Sequence, residues 1–367
     1  MADAPLARRR LAAALRVTLS PAVKTERTWL VIDGSEGEGG GQMLRTSVTL
    51  SLLSGFPVRI RNIRAKRSRP GLQRQHLTSV RAAAAIGRAT LTGAEKGSTD
   101  LVFEPGTITH GDYELAVGTA GSTMLVLQTI LYPLLLTPGE SSIELSGGTH
   151  NPMAPTFDYL SKVLAPHLRA MGAQFELELI APGFYPNGGG KVRLTVRGTT
   201  ALQRIEILTR GDITGRFARA LVSDLPISIA HRELIVVQRK LDWPWTEMQK
   251  ERVKGFGPGN VLSLELHHGG GTSMFTGFGE KGVSAEEVAE STIQHVLDFQ
   301  PAHAPVDEHL ADQLLLPMAL AGGGAFRTVE PTLHTRTQAR LIQRFLPVEI
   351  AIRREGMLDY RVDVWRR

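Results

Sequence analysis

The sequence contains no cysteine. That absence excludes a disulfide framework, a thiolate metal site and a cysteine nucleophile, and it fits a reducing cytoplasm. It also lacks a membrane span. Leu115 to Gly139 carries no charge, yet Gly118, Gly121, Ser122, Thr123, Gln128 and Pro133 interrupt it. It reads as a strand end, a Gly-Ser turn and a core helix. The first 26 residues are arginine-rich, and their apolar run, Leu11 to Leu15, is too short for a secretory signal. They read as a loosely ordered extension. Finally, the glycine-rich segment 37–41 is followed by no G-x-x-x-x-G-K-[ST] and has no G-x-G-x-x-G spacing, so it is neither a Walker loop nor a dinucleotide fingerprint.

What is present suffices for a folded chain of more than one domain. The 367 residues exceed one average domain, 42% are hydrophobic and 21% charged. The net charge of +6 leans basic, which is compatible with a polyanionic partner.

Helices and strands alternate with short glycine-rich turns, which predicts an α/β (α+β) fold of three repeated two-layer units, each with helices on a β-sheet. The first unit runs from the strand Trp29–Asp33 through helices at Gln42–Leu53 and Leu72–Ile86. The second starts near Tyr113, with helices at Ser122–Leu135 and Thr156–Met171. A third, partial copy has helices at Glu308–Leu320 and Thr337–Phe345. Residues 205–300 break the rhythm and read as a small inserted α/β domain. Within it the pattern suggests a helix at Gly215–Val222, a strand at Leu234–Val237 and a helix before Gly255. The expected organisation is therefore an extension, 1–26, a large domain of 27–204 and 301–367, and an insert of 205–300.

Several sites carry chemistry. The glycine loop lets backbone N–H groups approach an anion at a helix start. Glu38 within it would repel phosphate unless a divalent cation bridges the two; otherwise it is a solvated loop residue. Gln42 and Arg45, three apart, share a helix face. Arg59 to Arg74 holds seven cations, either a solvated strand edge or a bidentate phosphate-binding cluster. His309, Asp312 and Gln313 share another helix face, as a metal cluster, a polar stripe or a purine-binding edge. His334 lies between a strand and a helix. Thr332, Thr335, Thr337 and Arg336 around it suit phosphate handling.

These pieces, in this order, resemble the RNA 3′-terminal phosphate cyclase family from about Trp29 to the C-terminal strands. The resemblance is carried by Asp33-Gly34 with Glu38-Gly39-Gly40-Gly41-Gln42 and Leu44-Arg45, by Ile63-Arg64-Ala65 with Arg67, Pro70-Gly71-Leu72 and Gln75-His76-Leu77, by Gly121-Ser122, and by Gly147-Gly148-Thr149. It continues in Phe184-Tyr185-Pro186 with Gly188-Gly189-Gly190, in Leu310-Ala311-Asp312-Gln313-Leu314 and in Thr332-Leu333-His334-Thr335. It implies ATP-dependent closure of an RNA 3′-phosphate end to a 2′,3′-cyclic phosphate. His334 matches the family's nucleophile, which takes AMP from ATP and passes it to the RNA end. Glu38 matches a carboxylate for Mg or Mn. Gln42, Gln75, Pro155, His309, Asp312 and Gln313 match the ATP pocket, and Arg45, Arg64 and Arg67 the phosphate and RNA-end contacts. His309 departs from the tyrosine common at its position, which stacks on adenine. No matched position falls within 205–300, so the insert is expected to supply no catalytic residue.

Two other functions are weighed. Cyclase-like proteins of ribosome assembly share the fold without catalysis but lack the histidine. An enolpyruvate-type transferase on a similarly repeated scaffold would leave the histidine motif unexplained.

Overall fold

The computed structural model describes residues 29–367, so the extension expected at 1–26 lies outside the described residues. The first unit comprises β1 (Leu30–Asp33), α1 (Gly41–Ser54), β2 (Val58–Arg61), α2 (Arg74–Gly87), β3 (Thr90–Thr92) and β4 (Leu101–Glu104). The sheet order is β1-β2-β4-β3, with β1 and β2 parallel and the rest antiparallel.

The second unit repeats this topology with β5 (Asp112–Ala116), α3 (Thr123–Leu135), β6 (Glu140–Gly147), a helix α4, β7 (Gln174–Ala181) and β8 (Gly190–Arg197), in order β5-β6-β8-β7. The helix α4 starts at Phe157–Tyr159, widens into a π turn at Leu160–Leu164 and resumes at Ala165–Ala170.

The third unit is complete rather than partial. A two-residue strand, β9 (Glu206–Ile207), pairs in parallel with β14 (Gly323–Thr328). With α7 (Glu308–Leu320), α8 (Leu333–Phe345), β15 (Val348–Arg354) and β16 (Tyr360–Arg366) it gives the order β15-β16-β14-β9, the same arrangement again. Two residues carry too little pattern to read as a strand, so the sequence hides it.

Between β9 and α7 lies a segment with its own sheet: β10 (Ile213–Ser223), α5 (Ile227–Leu241), β11 (Met248–Val253), β12 (Gly259–His268), β13 (Gly271–Phe278) and α6 (Ala285–Phe299), in strand order β11-β10-β12-β13. Three expected elements are corrected here. The helix expected at Gly215–Val222 is the central strand β10, hydrogen-bonded on both sides to β11 and β12. The strand expected at Leu234–Val237 lies inside α5, whose buried Ala230, Glu233, Leu234 and Val237 follow helical spacing. The helix expected before Gly255 is β11. Local apolar spacing misled at β10 because only its second half, Ala220 to Ser223, is continuously buried, and that stretch shows no alternation.

One apolar core joins the three units, and a second fills the inserted segment around Trp243, Leu262 and Ile293. Helix α1 sits among α2, α3 and α8 and is buried on nearly every side, which explains why its apolar residues form no single stripe. Its buried hydroxyls find partners across helices: Thr46 Oγ1 donates to Gln338 Oε1 at 2.9 Å and Thr49 Oγ1 to the Thr129 carbonyl at 2.8 Å. The first bond ties α1 to α8 and the second ties it to α3. Among the described residues, no helix is long and apolar enough to cross a membrane.

Candidate active site

Helix α8 begins one residue before the histidine of interest. Thr332 is its N-cap, its hydroxyl accepting from the Thr335 N–H at 3.3 Å. His334 therefore belongs to the first helical turn rather than to the preceding loop. The glycine loop is fastened to the same turn, because Glu38 N–H donates to Thr337 Oγ1 at 3.1 Å. Gly37 makes that approach possible: its φ is +56°, and a Cβ there would collide with the Thr337 side chain.

The side chains so gathered form a chain of contacts. His334 Nδ1 lies 3.2 Å from Gln42 Oε1, and Gln42 Nε2 donates to Asp312 Oδ2 at 2.7 Å. His334 Nε2 lies 3.6 Å from Glu38 Oε1. The Arg67 guanidinium is in contact with the same Glu38 oxygen, yet neither carboxylate oxygen has a well-formed hydrogen bond. The Glu38 side chain is only 6% exposed. Gln313 Nε2 donates to the His309 carbonyl at 2.9 Å, and its Oε1 accepts from Gln128 at 2.7 Å.

Electrostatics follow from burial. Desolvation, with Arg67, Arg45 and His309 nearby, holds the His334 imidazole below its ordinary pKa, so the ring is neutral at physiological pH. Desolvation pushes the Asp312 carboxyl up to about 7, although His309, Gln42 and Arg45 pull the other way. Arg45 is lowered to about 10 by burial and remains a cation. His76, behind the glycine loop, is pushed down to about 3 by burial and by Arg45 and Arg64, so it is neutral.

These groups open onto a cavity of about 770 Å³, a volume suited to a nucleotide-sized ligand. Gln42, Arg45, Pro155, His309, Asp312, Gln313 and His334 line it. Glu38 and Arg67 adjoin it through His334. Two expected residues stand elsewhere. Gln75 Oε1 accepts from the Ser122 N–H at 2.8 Å, at the Gly121-Ser122 turn. Arg64, itself at φ +55°, donates to the Arg69 and Gly71 carbonyls at 2.5 and 3.1 Å and so braces its own loop.

Among the described residues no group of three or more histidines and carboxylates is placed to hold a metal. A cluster built on His309 and Asp312 is thus not formed. Asp307 instead caps α7 and accepts from Tyr159 Oη at 2.9 Å. The buried, poorly bonded Glu38 carboxylate has the chemistry of an oxygen ligand that would hold Mg²⁺ or Mn²⁺.

Sequence reasoning missed one wall of the cavity. Met274, Phe275 and Phe278 of β13, and His295, Asp298 and Phe299 of α6, face it from the inserted segment. The Phe275 and Phe299 rings pack 5.5 Å apart. Motifs of chemistry-bearing residues do not register an apolar wall, and the only available signal was the aromatic content of β13. Gln128 was also missed, and Thr337, expected only among the hydroxyls around His334, is the residue that fastens the glycine loop.

A family model described as RNA 3′-terminal phosphate cyclase matches residues 36–352. A protein of that name from Koribacter versatilis (strain Ellin345) is 48% identical over 330 residues, 89% of this chain and 92% of the relative. One from Ectopseudomonas mendocina (strain ymp) is 46% identical over 339 residues, 92% and 98% respectively. One from Pseudomonas fluorescens is 49% identical over 316 residues, 86% and 92%. A solved structure, the enolpyruvyl transferase NikO from Streptomyces tendae, aligns at 11% identity with a TM-score of 0.25, over 91% of this chain and 65% of that one. So low a score carries neither fold nor function.

Proposed function

The chain belongs to the RNA 3′-terminal phosphate cyclase family, and from that premise we propose that its cavity takes ATP and that the enzyme closes RNA 3′-phosphate ends to 2′,3′-cyclic phosphates. His334 Nε2 attacks the α-phosphate. An N–P bond forms, the P–O bond to pyrophosphate breaks, and pyrophosphate leaves with the electron pair. An oxygen of the RNA 3′-phosphate then attacks the same phosphorus, and the N–P electrons return to the imidazole. The neighbouring 2′-hydroxyl attacks the activated 3′-phosphate, loses its proton and expels AMP. Proximity supplies that last nucleophile, so little protein machinery is required there.

The chain's own residues would divide the work as follows. Arg45 and Arg67 offset negative charge on the phosphates. Pro155, Gln128, Gln313 and His309 border the nucleoside, with the apolar wall of β13 and α6 opposite. Glu38 would hold a divalent ion, whose charge, when bound, favours the leaving pyrophosphate. Arg64 and Gln75 act on the RNA side, Arg64 by shaping the cationic loop.

One observation carries this reading: a neutral, oriented histidine in the first turn of α8 borders a nucleotide-sized cavity and adjoins a buried carboxylate. It is tested with ATP labelled at the α-phosphate. The unmutated chain should acquire acid-labile AMP, and His334→Ala, still folded by circular dichroism, should acquire none. A folded His334→Ala that labels normally would sink the assignment. A chain that never labels would favour a non-catalytic role.

A further inference from the structure

We propose that Asp312 and Gln42 form a hydrogen-bond relay that fixes His334 in the Nδ1–H tautomer, leaving Nε2 as the free nucleophilic nitrogen. The proposal rests on the reading of His334 as the nucleophile and says what makes that nitrogen available.

The argument follows from which groups can donate. An ionised carboxylate only accepts hydrogen bonds. Above pH 7, where Asp312 is ionised, the Gln42 atom 2.7 Å from its Oδ2 must therefore be the amide NH₂. That orientation turns Gln42 Oε1, which only accepts, toward His334 Nδ1 at 3.2 Å. The contact is favourable only if Nδ1 bears the proton; the other tautomer would set two lone pairs against each other. A neutral imidazole has a single N–H, so Nε2 keeps its lone pair. Glu38, at 3.6 Å from Nε2, is beyond hydrogen-bond reach and is already in contact with Arg67. The described residues give Nε2 no hydrogen bond that would favour a proton there.

The same relay serves the covalent step. Once Nε2 bonds phosphorus, the ring is cationic and Nδ1–H is a stronger donor. Gln42 Oε1 already accepts it, and the Asp312 charge stands behind the amide. The logic is that of a carboxylate orienting a catalytic histidine, with an amide interposed. Gln42 and Asp312 are thus positioning residues, in addition to any contact with nucleotide.

The test uses the full chain without ATP, labelled with ¹⁵N-histidine, and long-range ¹H–¹⁵N correlation spectra, with His334 assigned from the signal lost in His334→Ala. The unmutated protein should show the proton on Nδ1. Gln42→Leu should move His334 toward the Nε2–H form and slow adenylylation at saturating ATP on the order of 10–100-fold, the usual scale for losing an orienting partner. The Michaelis constant for ATP should change less. The paired change Asp312→Asn with Gln42→Glu restores the polarity, because the new amide donates to the new carboxylate, which accepts from Nδ1–H. It should recover tautomer and rate relative to Gln42→Leu. A proton on Nε2 in the unmutated protein, or an unchanged tautomer in folded Gln42→Leu, would overturn the relay. The two readings fail separately, since the tautomer is read without ATP, whereas the nucleophile is judged by AMP labelling of His334→Ala.

Discussion

At the scale of single residues, the site works through burial that changes what ordinary groups do. Asp312 is the clearest case. It is faced by Arg45 from α1, Tyr132 from α3, Tyr159 from α4, and His309 and Asp307 from the start of its own helix. Its pKa, pushed up to about 7 chiefly by desolvation, means that it gains a proton as pH falls through 7. The protonated acid can donate, so Gln42 can turn over and present its NH₂ to His334. Adenylylation is therefore expected to fall below pH 7 by up to tenfold per pH unit, although His334, held below its ordinary pKa, is not the group taking up the proton. A pH–rate profile of AMP labelling that stayed flat from pH 8 to 6 would contradict this. Glu38 yields a second expectation. With both oxygens buried and poorly bonded, it has little role except to meet a cation. Glu38→Gln should raise the Mg²⁺ or Mn²⁺ concentration that half-saturates labelling, and an unchanged metal titration would assign Glu38 to the Arg67 contact alone.

At the scale of elements, the first turn of α8 holds His334, the proposed nucleophile, in place. Thr332→Ala removes a cap and should lower the unfolding free energy by about 1 kcal/mol, read from urea denaturation, with slower labelling because His334 sits two residues on. Unchanged stability would mean that Thr335 N–H finds another acceptor. This level also shows what the sequence makes legible. Helices that open on polar motifs, such as α7 at Glu308 and α3 after Ser122, are readable to within a residue or so, because caps and chemistry occupy the same turn. The strand β10 and helix α5 were exchanged: the second half of β10, Ala220 to Ser223, is buried throughout and shows no alternation, while Leu234–Val237 looks like a strand although the helix around it buries every third or fourth residue. The third unit looked partial because β9 contributes only two residues. Spacing put Gln42 with Arg45, and His309 with Asp312 and Gln313, on shared helix faces, and only the family resemblance joined them with Pro155 and His334 into one pocket. Its apolar half, on β13 and α6, follows only from how the inserted segment folds back.

At the scale of the whole molecule, that fold-back is held by a charged seam that crosses between two cores. Asp158 of α4 takes Arg219 of β10 at 3.0 Å and His150 at 3.0 Å, and Arg219 also reaches Glu251 of β11. Lys162 meets Glu265 of β12 at 2.6 Å, and Phe184 packs with Leu221 and Val261 beside them. Burial alone would raise the Asp158 pKa, but the His150 hydrogen bond and the charges of His150, Arg219 and Lys162 hold it below the ordinary value. A depressed carboxyl contributes stability that is complete at neutral pH and lost only as pH falls through its folded value, so the seam should weaken below the ordinary carboxylate range. Because the inserted segment walls the cavity proposed to take ATP from this anchor, loosening the seam should first affect ATP binding. Arg219→Met removes a mostly buried charge partner and should cost about 1.5–3 kcal/mol of the insert's docking. The expected signature is a raised Michaelis constant for ATP with a smaller change in the saturated rate, together with a lower urea midpoint for exposure of Trp243, which lies in the insert's core. If both the Michaelis constant and the midpoint matched the unmutated protein, the wall would be held by its apolar contacts instead, and the charged seam would have no share in forming the proposed ATP site.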